Sequence, residues 1–270
     1  MSIRVRAPAT TANIGPGFDC AAAALDLWNE LEISEGAPPD RDHLAVRAFE
    51  RIARLDGLAF SFTDRIPRGR GLGSSAATIA LGLVAGALVA GRELDPEELL
   101  AAGLDLEGHP DNLAAALSGG VCLTWDGAIA RIADDAPATP IALVPAERVR
   151  TRAAREALPS SISHADAAHT VARAAVLGAS LATGSATLFA AAADDRLHEP
   201  YRAGRAPLLA AVRERPPTGA IAVTLSGSGP TVIVWAQHEL ADACADELRR
   251  LFPGEDVLPL AISPTGAGPL

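Results

Sequence analysis

A glycine-rich run, Pro67-Arg68-Gly69-Arg70-Gly71-Leu72-Gly73-Ser74-Ser75-Ala76-Ala77, leads straight into a long apolar stretch. Glycines let a backbone turn tightly and approach a ligand closely. The free N–H groups and positive dipole end of a helix start favour phosphate. Ser74 and Ser75 add hydroxyls for a phosphate oxygen or a metal. The spacing is neither that of a Walker A loop nor that of a Gly-x-Gly-x-x-Gly dinucleotide turn. An ordinary loop of small residues is the structural alternative.

Three other segments carry polar groups at close spacing. Glu107-Gly108-His109-Pro110-Asp111-Asn112 precedes an apolar run, and Glu107 is a candidate Mg²⁺ ligand for phosphoryl transfer. The Asp-Asn pair also reads as a helix cap. Leu225-Ser226-Gly227-Ser228-Gly229-Pro230-Thr231 reads as a hairpin loop or as a second cradle of backbone amides. Within Pro8-Ala9-Thr10-Thr11-Ala12-Asn13-Ile14-Gly15-Pro16-Gly17-Phe18-Asp19, Asn13 and Asp19 are candidates for holding an amino-acid-like ligand, against a plain turn-forming role.

Composition narrows the chemistry. The chain has 270 residues, 49% hydrophobic and 21% charged, which suits one large or two modest soluble domains. A formal net charge of -10 argues against nucleic acid as a partner. The chain contains no lysine, so Schiff-base, Walker A and protein-kinase lysines are excluded. Cys20, Cys122 and Cys244 have no metal spacing and read as reduced thiols of a cytoplasmic protein. The N-terminus does not have the form of a signal peptide. The uncharged run 71–91 reads as a buried helix, and 174–193 as two helices meeting at a Gly-Ser break, rather than as membrane spans.

The elements that must position these segments alternate between the two periodicities. Ile3–Arg6, Leu25–Ile33, Leu58–Phe62, Val121–Trp125, Ala128–Ile132 and Ile141–Val144 read as strands. His43–Leu55 has helical spacing, and Asp95-Pro96-Glu97-Glu98 is a helix start. Alanine- and arginine-rich helices fill Val149–Val212. Strands at Ala220–Leu225, Thr231–Trp235 and Val257–Ile262 follow, with a helix at Glu239–Leu251 between the last two. The class expected is α+β in two halves, 1–145 and 146–270.

The pattern resembles the GHMP family of small-molecule kinases. The Pro-x-x-x-Gly-Leu-Gly-Ser-Ser-Ala-Ala loop marks the wider family. The Pro-Ala-Thr-Thr-Ala-Asn start and Glu-Gly-His-Pro-Asp-Asn resemble the branch acting on L-homoserine. So do Thr151–Pro159, Glu199-Pro200-Tyr201-Arg202 and Ser-Gly-Ser-Gly-Pro. The resemblance implies a two-domain fold with an N-terminal ATP-binding half and a ferredoxin-like C-terminal half. It implies ATP-dependent phosphorylation of the L-homoserine hydroxyl, a step of threonine biosynthesis, with ATP and Mg²⁺ as cofactors and a homodimer as a permitted assembly. Residues 67–77 would wrap the ATP phosphates, and Ser75 and Glu107 would hold Mg²⁺. Asn13, Asp19, His109, Arg155 and Arg202 would form the amino-acid site, with Asp19 for the ammonium and the arginines for the carboxylate. Thr151 would lie near the γ-phosphate. Asn112 stands about where relatives such as mevalonate kinase carry an aspartate base. An amide cannot take a proton as a carboxylate does, so positioning and charge stabilisation would carry catalysis.

This chain departs from many relatives in two places. It lacks a proline after Asn112, and it reads Thr151-Arg152-Ala153 for Thr-Lys-Glu. The competing readings are a kinase of the same family acting on mevalonate, a sugar or shikimate, and a non-catalytic binding protein on the same scaffold.

Overall fold

The structure is a computed structural model that describes residues 2–147 and 151–270, with the side chains of 151–153 excluded. In chain order the elements are strands β1 (Ile3–Asn13) and β2 (Gly17–Glu35), helix α1 (Leu44–Phe49), strand β3 (Leu58–Thr63), and helices α2 (Ser74–Val89), α3 (Pro96–Glu107) and α4 (Pro110–Ser118). Strands β4 (Val121–Trp125), β5 (Ala128–Ala133) and β6 (Thr139–Val144) follow. Helices α5 (Thr151–Glu156), α6 (His164–Thr183), α7 (Ala186–Ala192), α8 (Glu199–Arg202) and α9 (Pro207–Glu214) come next. Strands β7 (Ala220–Leu225) and β8 (Val232–Ala236), helix α10 (Ala241–Leu251), and strands β9 (Asp256–Pro259) and β10 (Gly268–Pro269) complete the chain.

Two antiparallel sheets organise the molecule. The first runs β10-β1-β2-β4-β5, with β3 added to β2. Its spine is the long β1–β2 hairpin, paired from Ile3 opposite Ile33 to Asn13 opposite Gly17, with register shifts between Pro8 and Ala9 and between Ala12 and Asn13. The sequence pattern places the strand at Ile3–Arg6 and a loop after it, whereas β1 continues to Asn13. Ala7, Ala9, Thr10, Thr11 and Ala12 are fully buried, so both strand faces are covered and the polar–apolar alternation vanishes. Helices α2 and α4 pack on this hairpin.

The second sheet has order β7-β8-β6-β9, the arrangement of a ferredoxin-like unit. It begins with β6 at Thr139, ahead of a division at residue 145. The chain end returns to the first sheet, where β10 pairs with β1 and Ile262 bridges Leu25. Strand β8 is buried on both faces. Ile233 and Trp235 join the large core under the first sheet, while Val232 and Val234 join a second core with α9 and α10. Phe189 of α7 meets Trp235 edge-on at 5.0 Å, and both belong to the same core cluster as residues of the first sheet and α2, so the core is continuous between the halves.

Local signals fixed several helix ends. Asp95 accepts hydrogen bonds from the backbone of Glu97 and Glu98 at the start of α3. Helix α6 ends at Gly184 and α7 starts at Ser185, the Gly-Ser break expected there. The apolar 71–91 run is the buried helix α2, and no helix among the described residues is long and apolar enough to cross a membrane. A Cβ on Gly82 would lie 2.0 Å from the carbonyl oxygen of Ala45, so glycine there lets α1 cross α2 closely.

Candidate functional site

The glycine-rich loop connects β3 to α2 and ends at Gly73, the N-cap, with φ +62°. No side chain caps this helix, so its first N–H groups remain available to an anion. The loop is held from three sides. Thr10 N donates to Leu72 O at 3.2 Å, and Ser226 Oγ donates to Gly71 O at 2.7 Å. Arg70 donates from Nε and Nη2 to the carbonyls of Pro145 and Ala146, both at 2.8 Å. Arg68 pairs with Asp64. The Ser226–Pro230 hairpin loop is thus a buttress, with Gly227 and Ser228 facing the same cleft.

Glu107 closes α3 beside this loop, and Gly108 at φ +83° turns the chain into α4. Ser75 hydrogen-bonds the Glu107 carboxyl, whose Oε2 is buried without a partner. Burial, with Asp111 nearby, raises the Glu107 pKa to about 7. A buried carboxylate with a vacant oxygen beside a serine hydroxyl and a phosphate-type loop fits a Mg²⁺ held partly by phosphate oxygens. Among the described residues no group of three or more His, Cys, Asp or Glu forms a self-sufficient metal cage.

Helix α4 brings His109, Asp111 and Asn112 to the cleft. His109 is the N-cap residue, and its Nε2 is buried with no partner. Asp111 accepts from the backbone N of Asn112 at 2.7 Å and from its Nδ2 at 3.2 Å. Burial raises its pKa to about 6. Asn112 Oδ1 accepts from Thr10 Oγ1 at 2.6 Å, so β1 fixes the amide from the opposite wall.

The β1–β2 turn supplies the other end. Asn13, Ile14 and Asp19 all have positive φ, at 72°, 43° and 53°, a conformation held by neighbours rather than by preference. Asn13 Nδ2 donates to Gly227 O at 3.0 Å, and its Oδ1 accepts from Asp19 N at 3.1 Å. Its amide therefore braces the turn. Asp19 and Arg155 form an ion pair, with Arg155 Nη2 at 2.6 and 2.8 Å from the two carboxylate oxygens. The sequence reading has them waiting separately for substrate charges, but here they meet each other. Arg202 is only 4% exposed and donates to Gly227 O at 2.9 Å, with its Nε unpartnered. Both guanidiniums lie over the Phe18 ring, at 5.4 and 5.3 Å.

One cleft therefore collects Asn13, Asp19, Gly69, Gly71, Gly73, Ser74 and Ser75 of the loop, Glu107, His109, Asn112, Arg155 and Arg202. Pro67, Arg68, Arg70, Leu72, Ala76 and Ala77 shape the loop and its helix without lining the cleft. The side chain of Thr151 lies outside the described residues. Thr10, Phe18 and His198 escape the sequence reading. Thr10 looks like one of several small loop residues, and its tie to Asn112 spans 102 positions.

Models of the GHMP kinase N-terminal and C-terminal domains match residues 43–120 and 172–254. A homoserine kinase of Streptomyces avermitilis is 38% identical, over 96% of this chain and 97% of its own. One from Synechococcus is also 38% identical, over 90% and 88%. The crystal structure of a homoserine kinase from Cytophaga hutchinsonii superposes with a TM-score of 0.85 at 26% identity, covering 100% of this chain and 97% of that one. A mevalonate kinase structure shares the fold, with a TM-score of 0.67 at 13% identity and coverage of 97% and 99%.

Proposed function

The chain belongs to the GHMP kinase family, on its homoserine kinase branch, and on that footing we propose that it transfers the γ-phosphoryl group of ATP to the side-chain hydroxyl of L-homoserine. The products are ADP, O-phospho-L-homoserine and the proton lost by the attacking hydroxyl. The observation that carries the reading is a single cleft with two chemically distinct ends. One end has the uncapped α2 N-terminus with Ser75 and Glu107. The other has a carboxylate and two arginines, a set suited to an α-amino acid.

The loop from Pro67 to Ala77 receives the phosphates through backbone N–H groups of α2, and Ser74 and Ser75 add hydroxyls. Ser75 and Glu107 would hold Mg²⁺, which when bound neutralises charge on the phosphate oxygens. At the other end, the substrate ammonium replaces Arg155 at Asp19 while the substrate carboxylate takes Arg155 and Arg202. His109, with its free Nε2, faces the same ligand. The hydroxyl end then points toward Asn112 and the loop.

Asn112 orients rather than abstracts. Its Oδ1 is taken by Thr10 and one Nδ2 hydrogen by Asp111, which leaves the second hydrogen for a substrate oxygen. Positioning of the hydroxyl against the phosphorus and stabilisation of phosphoryl charge supply the acceleration. Thr151 is assigned to the γ-phosphate by family resemblance.

An ADP-release assay over L-homoserine, mevalonate, shikimate and a hexose tests the reading, with ³¹P NMR of the product. L-Homoserine should be the best substrate and give a phosphomonoester. Faster turnover of mevalonate or the sugar would overturn the substrate assignment and leave the phosphate loop standing.

A further inference from the structure

His198 sits at the N-cap of the short helix α8 and is completely buried. Its backbone is fixed first. Asp195 Oδ2 accepts from the backbone N–H of His198 and Glu199, at 2.8 and 2.9 Å, and Asp195 Oδ1 from that of Leu197 at 2.9 Å. Glu199 then ties α8 to the second sheet, accepting from Leu225 N at 2.8 Å and from Arg213 Nη2 at 2.5 Å. The imidazole ring stacks on Phe18 with 5.2 Å between centroids.

The ring's two nitrogens have partners that permit one protonation state. Nε2 lies 2.8 Å from Gly15 O, and a carbonyl only accepts, so Nε2 carries the hydrogen. Asp195 Oδ2, at 3.6 Å, favours a hydrogen there too. Nδ1 lies 3.1 Å from Nη1 of Arg202, and a guanidinium has only donors. Nδ1 must therefore accept, and the imidazole is neutral. Burial and Arg202 push its pKa down, to about 4, against the opposing pull of Asp195, the Gly15 carbonyl and Asp19.

This fixes the guanidinium. The two hydrogens of Arg202 Nη1 go to His198 Nδ1 and Gly227 O, while Nε stays buried and unpartnered. The side-on edge that carries Nε is the edge suited to a bidentate carboxylate. We propose that His198 is the positioning residue for Arg202, holding the Nη1 corner so that the Nε edge faces the substrate carboxylate. This rests on the L-homoserine reading above, and it adds a dependence of substrate affinity on a residue that touches no substrate.

Two variants and one spectrum test it. His198→Phe keeps a ring against Phe18 and removes the acceptor. The L-homoserine KM should rise about tenfold or more, with the ATP KM changed less than about twofold. His198→Asn restores an acceptor near Nδ1 and should recover most of that loss. An unchanged L-homoserine KM in His198→Phe would overturn the proposal. So would equal losses in the two variants, or a parallel rise of both KM values with a lowered Tm. Should His198→Phe not fold, His198→Asn and the spectrum carry the test. Side-chain ¹⁵N NMR of the unaltered protein should show His198 protonated at Nε2 only and not titrating between about pH 8 and pH 5.5. A titrating or Nδ1-protonated His198 sinks this proposal alone. Absence of L-homoserine turnover by the unaltered protein sinks the functional reading alone.

Discussion

Gly73 and Thr10 face each other so closely that a Cβ on Gly73 would lie 1.8 Å from Thr10 Oγ1 and 3.2 Å from Asn112 Oδ1. The loop glycine is thus set by its neighbours as well as by φ +62°. Gly73→Val should abolish ATP use and cost about 1–3 kcal/mol of stability from backbone strain alone. Adding Thr10→Ala removes the hydroxyl clash but not the strain or the side chain over the anion site, so the double variant should regain only the part of Tm lost to the clash and stay inactive. Thermal denaturation and ADP release on both variants check this. Normal turnover in Gly73→Val would make the loop merely structural.

Thr10 also has a role of its own. Its hydroxyl holds Asn112 Oδ1 at 2.6 Å, the strut that aims the amide at the cleft. Thr10→Val keeps the shape and deletes the donor. We expect kcat to fall roughly tenfold while the ATP KM barely moves. Thr10→Ser should retain most activity. Equal kcat in Thr10→Val and the unaltered protein would show that Asn112 needs no such brace.

In the proposed metal role, Glu107 would link metal use to pH. Burial raises its pKa from 4.5 to about 7, so the folded protein prefers the neutral acid. Charging it therefore weakens the fold as pH climbs from its unfolded value through about 7, and that penalty persists above. A cation reverses the preference, because only the carboxylate binds it. The Mg²⁺ concentration for half-maximal rate should fall by up to about tenfold per pH unit below the pKa and level off above it. Glu107→Gln should cut turnover, require more Mg²⁺, lose that pH dependence, and raise the Tm of the ligand-free protein at pH 8. A Mg²⁺ requirement identical in Glu107→Gln would remove Glu107 from the metal site.

What the sequence made legible was local. The Asp95 cap and the Gly184-Ser185 break act within a few residues and are visible as patterns. The glycine loop announces itself by residue type, and Glu107 becomes a candidate only once that loop is read as a phosphate site. The continuation of β1 beyond Arg6 does not, because burial on both faces erases the alternation that marks a strand. Nor does residue type reveal who holds whom. Thr10 meets Asn112 across 102 positions and Arg155 meets Asp19 across 136. His198 reads as one more polar residue until Gly15, brought 183 positions from its own place in the chain, dictates its tautomer. Such pairings follow from β1 packing against α4 and from the β1–β2 turn region meeting α5 and α8, and no local pattern encodes them.

The Asp19–Arg155 pair makes a prediction about substrate charge. Each is about one-third exposed, so the pair is worth little to stability, and Asp19→Asn should leave Tm nearly unchanged. Its value is selective. An ammonium alone would take Asp19 and leave Arg155 unpaired, and a carboxylate alone would do the reverse. A zwitterionic amino acid satisfies both at once, so the pair opens at least cost to L-homoserine. Asp19→Asn should raise the L-homoserine KM about tenfold or more, and Arg155→Leu by a similar amount, with ATP KM nearly constant in both. The double variant should be less than additive, because each single change also strands the other charge. For 4-hydroxybutyrate, which has the hydroxyl and carboxylate but no ammonium, Asp19→Asn should weaken binding little or even improve it. Competition against L-homoserine gives that constant whether or not the analogue is turned over. If Asp19→Asn weakened the analogue as much as L-homoserine, Asp19 would not be reading the ammonium.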